Sequence, residues 1–148
     1  MHTNLTLILE FGVCNGCMDV LIQDRHGIVD CVEKNTSQEL ELNYSIVLPN
    51  QLCIKLSNKN YQTDTTIDLH GNITQNKFVK LKRLWLGKIE LEAHSLIQIC
   101  AYQTDRDTHQ RFSTFWDCNG TVTLDFFDKT TTEFLLHLNN KLNIPTTQ

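Results

Sequence analysis

Residues 39–58 read E-L-E-L-N-Y-S-I-V-L-P-N-Q-L-C-I-K-L-S-N, with apolar side chains on every second position. Leu40, Leu42, Tyr44, Ile46 and Leu48 share one phase, and Glu39, Glu41, Asn43, Ser45 and Val47 stand between them. A period of two is the period of a β-strand, because successive side chains leave opposite faces of the pleat. Past Pro49 and Asn50, Leu52, Ile54 and Leu56 resume the alternation against Gln51, Cys53, Lys55 and Ser57. The stretch predicts two strands joined at Pro49-Asn50, each with an apolar and a solvated face, making half of a β-sandwich sheet.

The rest of the chain reads the same way. Leu5, Leu7 and Leu9 alternate with Thr6, Ile8 and Glu10 in a first strand, and residues 12–17 form a tight loop. Met18 to Gln23 and Ile28 to Glu33 are strands joined by the turn Arg25-His26-Gly27. Residues 58–76 are polar, the longest loop-like segment, with a short edge strand admissible over Thr65 to Leu69. Long loops in compact domains carry function more often than the elements they connect. In Lys77 to Leu86 the phase slips around Lys82-Arg83: Val79 and Leu81 share one phase and Leu84 and Leu86 the other, as a β-bulge allows. Gly87-Lys88 turns the chain into residues 89–92, Leu96 to Tyr102 reads as a central strand, and Asn119-Gly120 turns it into Thr121 to Phe127. Thr130 to Glu133 has the spacing of a capping box ahead of one terminal helix, Thr131 to Asn140. About nine short strands with frequent turns describe an all-β fold, an antiparallel β-sandwich or jelly roll with one short C-terminal helix. The 148 residues form a single domain, 1–148, with no linker and no internal repeat.

Composition narrows the partners. The formal charge of −4 gives no footprint for nucleic acid, and the cluster Lys77, Lys80, Lys82, Arg83 and Lys88 is read as a strand's solvated face. No apolar run approaches the ~20 residues of a membrane helix, and the first ten residues lack the pattern of a secretory signal. The expectation is synthesis in a cytoplasm, where the six cysteines are free thiols; Cys53 and Cys100 are read as small core residues.

Few residues are arranged for chemistry. Cys14-Asn15-Gly16-Cys17 has the form of a zinc knuckle, for which Cys31 and His26 are the nearest further ligands. No second C-x-x-C completes it, and the strand residues that follow do not suit a redox motif. Asp64, Asp68 and Asn72 offer oxygen to a hard cation such as calcium, but the spacing is not that of a helix–loop–helix site. With Gly71 at the invariant glycine of that loop, Lys77 stands where a bidentate Glu belongs. No nucleophile elbow, paired zinc-ligand motif or glycine-rich phosphate loop is present, so no catalytic residue is assigned. Aromatic rings are the remaining resource, since a ring face can meet the C–H face of a pyranose. Tyr61, Tyr102, Trp85 and Trp116 are candidates; Trp85 has a phase that can look outward, whereas Trp116 beside Phe115 is assigned to the core.

A longer pattern runs from L-C-I-K-L-S-N-K-N through T-D-T-T-I-D-L-H-G-N-I-T-Q-N-K-F-V-K-L-K-R-L-W-L-G-K-I-E-L to F-W-D-C-N-G-T-V-T-L-D-F-F, covering Leu52 to Phe127. It resembles small jelly-roll proteins of tailed phages, notably those of marine cyanobacteria, which are similar in pattern to carbohydrate-binding modules. Asp64, Asp68, Gly71 and Asn72 match the loop of that pattern and Asn119-Gly120 its turn, while Cys14 and Cys17 lie outside it. The resemblance implies a non-catalytic binding or structural module, a virion component such as a capsid decoration, tail or fibre-associated protein. Its partners would be other virion proteins or surface glycans, and assembly into an oligomer is compatible with that role. The ligand-binding residues expected are Tyr61, Asp64, Asp68, Asn72 and Trp85, with no cofactor required. The competing expectation is a small zinc-binding adaptor built on Cys14 and Cys17.

Overall fold

The computed structural model describes residues 2–14, 16–47, 51–61 and 64–124. In chain order these form β1 (His2–Gly12), β2 (Met18–Asp24), β3 (Gly27–Lys34), β4 (Gln38–Val47), β5 (Leu52–Leu56), β6 (Thr65–Ile67) and β7 (Ile73–Asn76). There follow β8 (Phe78–Leu86), β9 (Ile89–Glu90), α1 (Ala93–Ile99), β10 (Cys100–Thr104), β11 (Arg111–Phe112), β12 (Phe115–Trp116) and β13 (Gly120–Leu124). One sheet runs β12-β8-β1-β4 with β9 on β8; the other runs β11-β10-β13-β5-β2-β3. β6 and β7 make a separate two-stranded ribbon, and every pairing is antiparallel. The all-β antiparallel sandwich expected from the alternation is what forms.

β1 is the axis of the first sheet, paired with β4 on one side and β8 on the other. Its Leu5, Leu7, Leu9 and Phe11 are buried and share one core with Val20 and Ile22 of β2, Ile54 and Leu56 of β5, and Val122 and Leu124 of β13. Each leucine so buried contributes roughly 1.5–3 kcal/mol relative to exposure. The predicted phase slip in β8 is a bulge: Ile8 pairs Arg83 and Leu9 pairs Leu81, so Lys82 is the extra residue. Trp116 is fully buried, as its neighbourhood predicts, and its indole N–H donates to the Ser113 carbonyl at 2.6 Å. Cys100 is buried in the core, which pushes its thiol up to about 12, while Cys53 is half-buried.

Two expectations are corrected. β4 and β5 are not a paired hairpin: β4 joins β1 in one sheet, and β5 lies between β2 and β13 in the other. Alternation specifies which face of a strand is buried but carries no information about which strand lies beside it. The segment from Leu96 is not a strand until Cys100. α1 occupies Ala93–Ile99, with Leu96 N–H donating to the Glu92 carbonyl at 2.9 Å, and Leu96, Ile99 and Cys100 repeat at helical spacing toward the core. The expected helix at Thr131 to Asn140 lies outside the described residues.

Candidate functional site

The polar segment between β5 and β8 is organised around two buried lysines. Lys77 places its ammonium 3.1 Å from Asp64 Oδ2, and the two side chains are 3% and 2% exposed. The same ammonium donates to the Cys17 carbonyl at 2.8 Å and, at a longer 3.4 Å, to that of Asn58. Asp64 Oδ2 also accepts the Asn60 N–H at 2.7 Å, and the Asp64 carbonyl takes the Lys77 N–H at 2.9 Å and the Cys14 thiol at 2.9 Å. The β1–β2 loop, the end of β5 and the start of β8 are thereby tied together. Lys59, also buried, donates to Asn76 Oδ1 at 2.6 Å and to the Asp117 carbonyl. Burial pushes the Lys59 ammonium below its ordinary pKa, against the opposing pull of Asp117. Lys59 and Asn119 exchange two more bonds, Lys59 N–H to Asn119 Oδ1 at 2.8 Å and Asn119 Nδ2 to the Lys59 carbonyl at 2.9 Å.

Above this framework lies a cleft of about 350 Å³. Ile67 and Ile73, cross-strand partners on the β6–β7 ribbon, line it together with Tyr61, Arg106, Asp117 and Cys118. The Tyr61 hydroxyl is fully engaged: it donates to Asp105 Oδ1 and accepts the Asn119 N–H at 2.8 Å. Burial, and then the bond to Asp105, hold its proton on and raise its pKa. What Tyr61 offers a ligand is therefore its ring, over which the Arg106 guanidinium stands 4.4 Å from the centroid. Arg106 makes no ion pair among the described residues. Asp117 gives its carbonyl to Lys59, and among the described residues its carboxylate receives only a long contact from Cys118 Sγ at 3.8 Å. Donors, a carboxylate acceptor, an aromatic ring and two aliphatic side chains thus meet in one cleft, the mixture that a hydroxyl-rich, C–H-faced ligand requires.

The expected ligand residues are dispersed by the fold. Tyr61 lines the cleft, and Asp64 lies buried beneath it in the Lys77 ion pair. Asp68 and Asn72 close the ribbon's turn: Asp68 Oδ1 accepts the N–H of His70 at 2.8 Å and of Asn72 at 2.9 Å, and these bonds hold its carboxyl below the usual range. Gly71 takes the positive φ of 82° that this turn needs. Trp85 is half-buried on the outer side of β8, beneath Arg83 at 4.4 Å, and is not among the residues lining the cleft. Arg83 is in turn paired with Glu90, at 2.7 and 2.9 Å. Sequence reasoning passed over Arg106, Asp117 and Lys59; the S-N-K end of β5 was the available signal for the last.

The zinc expectation finds no ligand set. Cys17 precedes β2, whereas His26 sits in the turn at its far end, seven strand residues away, or roughly 20 Å at the strand rise. The Cys14 thiol is spent on the Asp64 carbonyl, and its pKa is raised by burial and by the Asp64 charge. No group of three or more His, Cys, Asp or Glu side chains is placed to hold a metal ion among the described residues.

No protein-family model matches the chain, and no curated protein sequence matches it. Its fold does match solved structures. The carbohydrate-binding module vCBM60 in complex with galactobiose superposes with a TM-score of 0.53 over 82% of this chain and 96% of that one, at 14% identity. The selenomethionine form of vCBM60, described in connection with a circular permutation that links two families of calcium-dependent carbohydrate-binding modules, matches with a TM-score of 0.53, 12% identity, and coverage of 82% and 89%. The likeness establishes the fold, a β-sandwich of the architecture seen in vCBM60.

Proposed function

We propose that this chain is a non-catalytic carbohydrate-binding module that seats a short, uncharged saccharide in the cleft between the β6–β7 ribbon and the β10–β11 loop. The observation that carries the reading is the cleft itself, where Tyr61, Arg106, Asp117, Ile67 and Ile73 converge on a sandwich of carbohydrate-binding-module fold. Its volume of about 350 Å³ is at the small end of the ~300–1,000 Å³ typical of small-ligand sites. The Arg106 guanidinium and the Lys59 ammonium donate and the Asp117 carboxylate accepts, which suits a ligand whose hydroxyls both donate and accept. The binding of galactobiose, an uncharged disaccharide, by a protein of this fold supports the same class. In this reading Asp64, Asp68 and Asn72 shape the loop and its turn, and Trp85 stands apart.

Affinity electrophoresis followed by titration calorimetry against a panel of neutral oligosaccharides tests it. Retention of the full chain is expected, with Tyr61→Ala and Arg106→Ala each weakening binding roughly tenfold or more and Trp85→Ala leaving it unchanged. Failure of every sugar to retard the protein overturns the reading. Loss on Trp85→Ala with Tyr61→Ala unaffected moves the site to the outer face of β8.

The reading extends to a virion component of a tailed phage, made in the host cytoplasm and assembled beside other particle proteins to present glycan recognition. Its support is the sequence pattern between Leu52 and Phe127. Co-purification with particles is the expected result, and absence of the protein from purified virions rejects this extension.

A further inference from the structure

A hard divalent cation held by a loop needs six to eight oxygens at about 2.3–2.6 Å, supplied by carboxylates and carbonyls drawn from several segments. This end of the sandwich has gathered such oxygens, and in both gatherings a lysine ammonium already sits among them. Around Lys77 Nζ are Asp64 Oδ2 at 3.1 Å, the Cys17 carbonyl at 2.8 Å and the Asn58 carbonyl at 3.4 Å. Around Lys59 Nζ are Asn76 Oδ1 at 2.6 Å and the Asp117 carbonyl. An ammonium has three donors and no acceptor, so the three oxygens on Lys77 match its capacity. The one carboxylate of the set matches its single charge. A calcium ion added to either group would stand a few ångströms from a fixed like charge, a repulsion that a buried, low-dielectric setting strengthens. Asp68, the other acid of the loop, is turned to its own backbone at His70 and Asn72. Among the described residues, the oxygens gathered around Lys77 and Lys59 therefore do not fit calcium, although a neighbour of the same fold is described as calcium-dependent.

We propose that Lys77, seconded by Lys59, is the resident cation of this end of the molecule, so that the order of the loop, and with it the saccharide binding proposed above, is independent of calcium. The tethered charge joins the β1–β2 loop, the end of β5, the ribbon and the start of β8, as a bound ion would. The saccharide half of the statement rests on the proposed function; the cation half does not.

Thermal unfolding of the full chain in excess calcium chloride and in EDTA tests the cation half directly. The same midpoint is expected in both, and a midpoint that rises by several degrees with calcium overturns the proposal. Lys77→Ser supplies the positive control, because it vacates the oxygens on Asp64, Cys17 and Asn58. Its midpoint is expected to lie below that of the parent in EDTA and to climb when calcium is added. A Lys77→Ser protein that is indifferent to calcium, or unfolded with and without it, rejects the view of Lys77 as an ion's replacement. Retention on the neutral sugar panel, compared in calcium and in EDTA, tests the other half: equal retention is expected. Retention only in calcium overturns calcium independence. Melting that ignores calcium without retention in either condition removes the saccharide reading and leaves the cation assignment standing.

Discussion

At the scale of single residues, the candidate site rests on side chains that proteins seldom bury. Lysine and aspartate are almost never fully enclosed unless paired, yet Lys77 and Asp64 are enclosed together. Removing one partner of such a pair leaves a buried charge uncompensated and costs about 3–5 kcal/mol, whereas replacing both with neutral groups costs far less. Lys77→Met is therefore expected to lower stability by about that amount in a urea titration, and Asp64→Asn/Lys77→Met to recover most of the loss; single and double variants of equal stability would contradict the buried ion pair. Gly120 is a second strict position, since a Cβ there would lie 2.2 Å from the Gln103 carbonyl oxygen across the ladder. Gly120→Ala should cost about 1–3 kcal/mol, the usual range for overpacking, checked by the same titration. The sequence made Tyr61 and Asp64 visible because they stand in a polar loop that no core pattern explains. It did not reveal Arg106, Asp117 or Lys59, whose roles arise only when the loop before β6, the loop after β10 and the turn between β12 and β13 meet. Nor does any local pattern mark a lysine as buried.

At the scale of elements, the alternation along each strand was sufficient to place the core and insufficient to pair the strands. Leu40 to Ile46 and Leu52 to Leu56 do point into one core, but from opposite sheets, because the side-chain period constrains faces and leaves neighbours open. α1 was hidden for a related reason: over seven residues, Leu96, Ile97 and Ile99 fit a buried strand as well as one helical stripe. The bulge in β8 was legible because it interrupts a long and regular phase. It also yields a sharp expectation. With Lys82 deleted, Leu81 and Arg83 become consecutive and the ladder Leu9–Leu81, Ile8–Arg83 becomes regular. The deletion removes one exposed ion pair, Lys82 to Glu39 at 3.0 Å, a loss of about 0–1 kcal/mol for surface pairs. The Lys82 deletion is expected to melt close to the parent, while deletion of Val79, which turns buried positions outward, should prevent folding. A Lys82 deletion that fails to fold would show that the bulge itself is required.

At the scale of the whole molecule, two antiparallel sheets supply a rigid body, and one end of it carries the polar segment that the strand pattern leaves over. The β6–β7 ribbon places Ile67 and Ile73 on one wall, the β10–β11 loop brings Arg106 over Tyr61, and the buried lysines fix the base on which both stand. Known structures of this architecture include a module in complex with galactobiose, at 14% identity. The functional reading therefore stands on this chain's own cleft residues rather than on shared ones. Titration calorimetry of the full chain with neutral oligosaccharides, repeated with Tyr61→Ala and Arg106→Ala, is the direct test. Binding by the parent that falls roughly tenfold or more in each variant is the predicted result; a parent that gives no binding heat with any sugar, or variants that bind as the parent does, would contradict it.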